Sequence, residues 1–231
     1  VTPYFADDLV TLYLGDCREV LGSLPPQSAD LMLTDPPFFM PASHYQSRVQ
    51  WQRSWGDTSV LAAFWGVVLD LAIPLMKRTG HVITFCNGDS YPVFYPEVYR
   101  RFDAIKCIVW DKGSIGMGRV WRNQHELILA ARWESSDFTE QGGSRSDVIK
   151  ARVIPSSDRT HPVEKPTALL APLIEPTTPP GGLIVDPFAG TGSTILAARV
   201  AGRRAIGIES EERYCEMAAR RLSQGVLMAH G

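Results

Sequence analysis

Five short runs of apolar, β-branched residues each end in a polar residue or a turn, and this repetition sets the first reading of the chain. Residues 10–14 lead into Gly15-Asp16, 31–33 into Thr34-Asp35, and 81–85 into Cys86-Asn87. Residues 183–185 lead into Asp186 and 205–208 into Glu209. Runs that are apolar at nearly every position suit parallel strands covered by helices on both faces. Between them Leu61, Phe64, Trp65, Val68, Leu71 and Leu75 recur at three- and four-residue spacing, which predicts a helix that Gly80 ends. Residues 193–201 and 211–222 predict two more, the second burying Tyr214, Cys215, Ala218 and Leu222. Strand alternating with helix predicts an open α/β sheet.

Two further runs, 105–110 and 126–131, have no helical pattern between them and a glycine-rich turn at 113–118. They predict an antiparallel hairpin closing one edge of the sheet. From about Trp133 to Arg159 the composition turns to Ser, Gly, Asp and Arg, with only Val148-Ile149 and Val153-Ile154 apolar. That stretch reads as a loop or small insertion with no core of its own. The expected organisation is therefore one domain in two halves, 1–132 and 161–231, with an insertion at 133–160. The expected sheet has seven mostly parallel strands and one antiparallel edge hairpin. Four of the five parallel strands end in a carboxylate: Asp16, Asp35, Asp186 and Glu209. Ligands of open parallel sheets sit outside the carboxyl ends of the strands, so four acids in register there predict one crevice.

With 231 residues, 45% hydrophobic and 21% charged, the chain has the make-up of an ordinary water-soluble domain with a sizeable core. No run approaches the ~20 uninterrupted apolar residues of a membrane span, and residues 1–8 lack the pattern of a signal peptide. Cys17, Cys86, Cys107 and Cys215 lack metal-ligand spacing and lie in or beside apolar stretches, which predicts buried free thiols in a reducing compartment and no metal. His44, His81, His125 and His230 show no catalytic or metal pairing and read as structural. The net charge of −2 gives no support for nucleic-acid binding, so any such contact must come from local basic surface.

Two motifs carry chemistry. Asp186-Pro187-Phe188-Ala189-Gly190-Thr191-Gly192-Ser193-Thr194 follows a buried strand and opens a helix. Its glycines let the backbone turn tightly and approach a ligand, and the helix start offers unpaired N–H groups. A Walker phosphate loop would need a lysine that is missing, and Ile195 stands where a dinucleotide fingerprint has its third glycine. Glu209 follows at the distance of a ribose-binding acid, which fits a dinucleotide or another adenosine ligand. The second motif is Thr34-Asp35-Pro36-Pro37-Phe38. Its prolines fix the backbone, remove two donors and leave carbonyls aimed outward. Asp35 adds carboxylate oxygen and Phe38 a flat apolar face. An amino group on an aromatic ring wants both: acceptors for its hydrogens and a ring to stack on.

Asp35-Pro36-Pro37-Phe38 resembles the catalytic Asp-Pro-Pro-Tyr motif of DNA amino-methyltransferases, and residues 186–192 resemble their cofactor loop. The catalytic motif comes first, as in the permuted β group of these enzymes. His161-Pro162-Val163-Glu164-Lys165-Pro166 is similar to that group's His-Pro-x-x-Lys-Pro segment, and Gly15-Asp16-Cys17 and residues 110–131 also match, so the likeness covers nearly the whole chain. The resemblance implies a Rossmann-like fold that binds S-adenosyl-L-methionine. Asp186, Phe188, Gly190 and Gly192 would hold its methionine part, Glu209 its ribose and Asp16 its adenine, with Lys165 and Thr194 supporting the pocket. Asp35 and the Pro36 carbonyl would accept from the target amino group, and Phe38 would stack on a base flipped out of the duplex. Phe38 departs from the usual Tyr, losing a hydroxyl and keeping the ring. By the same resemblance Asp35 favours adenine N6 over cytosine N4, whose enzymes often begin the motif with Ser.

In residues 39–56, Arg48 and Arg53 are interleaved with Tyr45, Trp51 and Trp55 and no acid. That mixture suits a loop closing over DNA, and equally an ordered loop anchored by its tryptophans. Arg119, Arg122, Arg145, Lys150, Arg152 and Arg159 are candidates for DNA contacts, though each taken singly reads as a solvated charge. The short stretch 133–159 would serve as a small target reader, implying a short or loosely read recognition sequence. The rivals are cytosine-N4 methylation, an RNA substrate, an inactive cofactor- or DNA-binding partner subunit, and a dehydrogenase, the last disfavoured by Ile195 and by Asp35–Phe38. The resemblance implies a cytoplasmic bacterial or phage enzyme with DNA as partner and no membrane. A homodimer stays open, since dimers occur in that group.

Overall fold

The computed structural model describes residues 1–38, 57–116, 120–133, 144–154 and 164–228. The elements run β1 (Phe5–Ala6), β2 (Val10–Leu14), α1 (Cys17–Ser23), β3 (Ala29–Thr34), α2 (Thr58–Ala72), a 3₁₀ turn (Ile73–Leu75) and β4 (Met76–Cys86). They continue with α3 (Tyr91–Tyr99), β5 (Ala104–Asp111), β6 (His125–Arg132), β7 (Val148–Lys150) and α4 (Thr167–Ile174). The chain closes with β8 (Leu183–Asp186), α5 (Ser193–Val200), β9 (Arg204–Glu209) and α6 (Glu212–Met228).

Among the described residues nine strands form one sheet in the order β1-β2-β9-β8-β3-β4-β6-β5-β7. The five expected parallel strands are its centre, and β5 and β6 pair antiparallel as read from the sequence. The count exceeds the expected seven because a short strand is added at each edge. β1 pairs antiparallel with β2, and β7 pairs parallel with β5. The β5–β6 hairpin therefore does not close the sheet. β6 lies between β4 and β5, and Val148–Lys150, inside the stretch read as an insertion, covers β5 with Val109 opposite Val148.

Side chains alternate across the pleat, so the continuous apolar runs feed two cores. Met32, Val82, Cys86 and Val185 point to one face, under α1, α2 and α3; Leu31, Leu33, Ile83, Phe85 and Ile184 point to the other, under α4, α5 and α6. β3 is buried at all six positions because it lies between β8 and β4 and is covered on both sides. The step from β3 through α2 to β4 moves one way along the sheet on one face. The step from β8 through α5 to β9 moves the other way on the opposite face, as right-handed crossovers require.

α2 begins at Asp57, whose carboxylate accepts the Ser59 N–H at 2.8 Å, and buries Leu61, Trp65, Val68, Leu69 and Ala72. It ends at Ala72, not at Gly80: the 3₁₀ turn holding Pro74 stops it, and Gly80 lies within β4, where a Cβ would come 2.9 Å from the Lys77 carbonyl. By length and composition Thr58–Leu75 is apolar enough to cross a bilayer, with a mean hydropathy of 1.8, although Thr58, Ser59 and Asp70 interrupt its apolar run. In the fold its buried stripe is seated on the sheet. Three helices, α1, α3 and α4, were not read from the sequence. α3 contains Pro92 and Pro96, and α4 contains Pro172, and each holds its place by burying Val93, Phe94 and Val98 or Leu169, Leu170, Leu173 and Ile174. The four cysteines are free, three of them buried and Cys107 half-buried. Burial pushes the thiols of Cys17, Cys86 and Cys215 up to about 12.

Candidate active site at the carboxyl edge of the sheet

β2, β9, β8 and β3 are parallel neighbours, so Asp16, Glu209, Asp186 and Asp35 stand in that order along one edge. The chain leaves β3 toward β4 on one side and β8 toward β9 on the other, which opens a crevice between Asp35 and Asp186. The Thr34 hydroxyl spans it and donates to Asp186 Oδ1 at 2.7 Å. The two motifs, 150 residues apart in sequence, are thus joined directly at their roots.

Asp186 is 2% exposed and also accepts the Phe188 N–H at 3.1 Å. Burial raises its carboxyl to about 6 against the pull of the Thr34 and Thr194 hydroxyls and the Phe188 N–H. In the loop that follows, Gly190 and Gly192 have φ of 51° and 83°, a region that favours glycine. A Cβ at Gly190 would meet nothing within 4 Å, so space lies open in front of the loop, whereas one at Gly192 would meet Ala218 Cβ at 3.0 Å. The Gly190 and Glu211 N–H groups donate to the two oxygens of Glu209 at 2.9 and 2.8 Å, and burial raises that carboxyl. Asp16 caps α1 and its carboxylate is held by Arg18 at 2.5 Å, which lowers its pKa. The Phe188 ring packs 5.9 Å from Phe64, and Phe38 lies half-buried against both cores.

Lys165 is placed differently from the cofactor-pocket role that the resemblance implied. It is 9% exposed, and its ammonium lies 2.6 Å from Asp35 Oδ2 and 3.2 Å from Glu126 Oε2. Lys112 holds the other Glu126 oxygen at 2.5 Å. Phe85, Trp110 and Phe38 surround the Lys165 nitrogen at 4.8, 5.7 and 5.8 Å. Burying an ammonium costs several kcal/mol unless it is paired, and two carboxylates with three ring faces supply the pairing. Although burial alone would lower it, Asp35 and Glu126 raise Lys165 and keep it charged. Burial and Glu126 raise Asp35 against the pull of Lys165. The second oxygen of Asp35, Oδ1, is buried with no partner among the described residues. The neighbouring Glu164 pairs with Arg221, which donates to the Thr191 carbonyl at 2.8 Å, so the segment 164–166 touches both the glycine loop and Asp35.

Thr34 stood in the second motif without a role assigned to it, and Lys112, Glu126 and Arg221 had no role assigned in advance. The one signal was a carboxylate, Glu126, directly ahead of the apolar run 127–131 of β6. Of the DNA-contact candidates, Arg122, Arg145, Lys150 and Arg152 are exposed. Arg122 donates to the Gly116 carbonyl at 2.6 Å, and Arg152 lies beside Gly113. Arg48, Arg53, Arg119 and Arg159 lie outside the described residues, as do the aromatics of 39–56 and His161. Among the described residues no group of His, Cys, Asp and Glu is arranged to hold a metal.

A family model described as DNA methylase matches residues 131–220. The DNA adenine methyltransferase YhdJ of Escherichia coli K12 is 23% identical over 94% of the chain and 84% of its own length. Among solved structures, the complex of M1.HpyAVI with SAM has a TM-score of 0.68 at 22% identity, covering 92% of this chain and all of that one. The cytosine-N4-specific PvuII DNA methyltransferase has a TM-score of 0.75 at 19% identity, covering 94% and 87%. The Rossmann-like fold and the resemblance to DNA amino-methyltransferases are borne out, and the similar proteins include one acting on each base.

Proposed function

We propose that this chain, similar over nearly its whole length to DNA amino-methyltransferases, uses S-adenosylmethionine to methylate an exocyclic amino group of a base flipped out of DNA, with adenine N6 as the target. The observation that carries the reading is Asp35 at the end of β3. It has one oxygen held by Lys165 and the other buried without a partner among the described residues, one strand away from an open glycine loop.

The residues around that loop fit the cofactor. The space before Gly190 admits a ligand, Glu209 keeps lone pairs for ribose hydroxyls, and Asp186 puts negative charge beneath an amino-acid ammonium. Phe188, Gly192 and Thr194 shape the same wall, and Asp16 stands at its far end. When bound, S-adenosylmethionine supplies an electrophilic methyl on a sulfonium. Asp35 Oδ1 and the Pro36 carbonyl accept the two hydrogens of the target amino group, which directs the nitrogen lone pair toward that methyl. The new N–C bond would form as the C–S bond breaks and leaves its electron pair on sulfur as a neutral thioether, and Asp35 would take up the proton that the nitrogen releases. Phe38 would stack on the base. Holding donor and acceptor at attack distance supplies much of the rate, and no covalent enzyme intermediate is needed. Arg122, Arg145, Lys150 and Arg152 are exposed and would supply phosphate contacts, with the reader in 133–160, in a bacterial or phage enzyme working in the cytoplasm.

Nucleoside mass spectrometry of unmethylated DNA incubated with the protein and S-adenosylmethionine tests this. N6-methyladenine is the expected product, N4-methylcytosine would overturn the base, and no methylated base would overturn the reading. Asp35→Ala should lower methyl transfer roughly a thousandfold or more while cofactor affinity stays within about twofold. Parallel loss of both would remove Asp35 from the chemistry.

A further inference from the structure

We infer that Glu126 and Lys112 are positioning residues of the Asp35 centre: they hold Lys165 to one carboxylate oxygen of Asp35, so that the other is not taken by Lys165 and can accept from the target amino group. This rests on the reading of Asp35 as the amino-group acceptor.

The four side chains form a line of alternating charge, Asp35, Lys165, Glu126 and Lys112, with successive contacts of 2.6, 3.2 and 2.5 Å. Strand register assembles it. Thr34 is level with Thr84 across β3–β4, Cys86 with Leu127 across β4–β6, and Trp110 with Glu126 across β5–β6. That brings Glu126, and Lys112 just past β5, to the same edge as Asp35. The side chains of Glu126 and Lys112 are only 20% and 21% exposed, so solvent does not replace the partners.

An ammonium has three N–H donors. Here two are committed to different carboxylates, and ring faces crowd the rest of the nitrogen. Tethered this way, Lys165 cannot swing across to take both oxygens of Asp35. Without Glu126 it would have one carboxylate alone, and the tighter pair would neutralise the acceptor that the substrate needs. Lys112 in turn offsets the Glu126 charge, which otherwise presses on Asp35. The groups facing Asp35 are Lys165 ahead of α4, Glu126 on β6, Lys112 after β5 and Asp186 on β8, with the Cys86 thiol of β4 held neutral by burial. Glu126 raises the Asp35 carboxyl and Lys112 lowers it. Methyl transfer needs ionised Asp35, so it fails as pH falls through the Asp35 pKa. Removing the Glu126 charge must move that acid limb to lower pH, and removing the Lys112 charge must move it to higher pH.

The test is single-turnover transfer of labelled methyl from S-adenosylmethionine to unmethylated genomic DNA between about pH 5 and pH 10, for wild type, Glu126→Gln, Glu126→Asp and Lys112→Met. Calorimetry of cofactor binding accompanies it. Glu126→Gln should slow transfer by about 10- to 100-fold and lower the acid limb by about half a unit to one unit, with cofactor affinity within about twofold. Lys112→Met should raise the limb, and Glu126→Asp should recover part of the rate. Limbs that stay put or move the same way, or cofactor affinity lost in step with rate, would overturn the inference. The ¹³C carboxyl titration of Asp35, assigned by its loss in Asp35→Asn, reports the same opposite shifts without turnover. A wild type that methylates no DNA therefore indicts the proposed function, while unshifted carboxyl titrations indict the network.

Discussion

Thr34 and Asp186 meet across the crevice, and the cost of burying that carboxylate is legible in its pKa of about 6. The folded-state value lies above the ordinary 3.8, so the group favours the folded form most at pH 4 and below, and that contribution is lost as pH rises through about 6. A shift of this size corresponds to about 3 kcal/mol. Asp186→Asn removes the charge and keeps an acceptor for Thr34 and Phe188. Relative to wild type, the variant should gain about 2–3 kcal/mol between pH 4 and pH 8, read by thermal unfolding at both, while its cofactor affinity falls. No pH dependence of the difference would mean that Asp186 ionises as an ordinary carboxylate. At this scale the motif residues Asp35, Asp186 and Glu209 were legible because loop chemistry is local. Lys165 was legible as a residue but not as a partner, since whom a buried ammonium pairs with depends on groups 39 and 130 residues away.

The elements were read well where periodicity was strong, and missed where prolines interrupted it or where the helix, as in α1, is only seven residues long. α3 and α4 form because burial of their apolar faces outweighs the lost backbone bonds, and that burial exists only once the sheet does. β9 shows an element-scale constraint on the cofactor loop. A Cβ at Gly207 would come 3.0 Å from Ala189 Cβ and 3.1 Å from Ile195 Cδ1, so strand and loop need glycine there to pack so closely. Gly207→Ala should cost about 1–3 kcal/mol and displace the loop, weakening cofactor binding by calorimetry. Adding Ile195→Val should return part of the stability by making room. If Gly207→Ala is neutral in both measurements, the loop is looser than its contacts imply. Ile195, which spoke against a dinucleotide fingerprint, thus has its own task as the fully buried side chain on which the loop is seated.

For the molecule as a whole, a net charge of −2 means that the proposed DNA contact must come from a local basic surface. Arg122, Lys150 and Arg152 are exposed around the outer end of the β5–β6–β7 ribbon, Lys150 opposite Asp111 and Arg152 beside Gly113. The same ribbon delivers Glu126 and Lys112 to Asp35. If each cation meets a phosphate, replacing all three by Ala should lower the slope of log affinity against log salt by about 2–3, measured by fluorescence anisotropy on duplex DNA. Cofactor affinity should not change. An unchanged slope would move the DNA path to another face.

The sequence by itself determined the parallel centre of the sheet, the order of the two motifs and the four acids at strand ends, because these rest on periodicity and on turn chemistry within a few residues. Only the tertiary structure decided that β6 lies inside the sheet, that the 133–160 stretch lends it a strand, and that Lys165 stands between Asp35 and Glu126. Those outcomes depend on register between strands distant in sequence and on the pairing a buried charge demands, and neither leaves a local pattern to read.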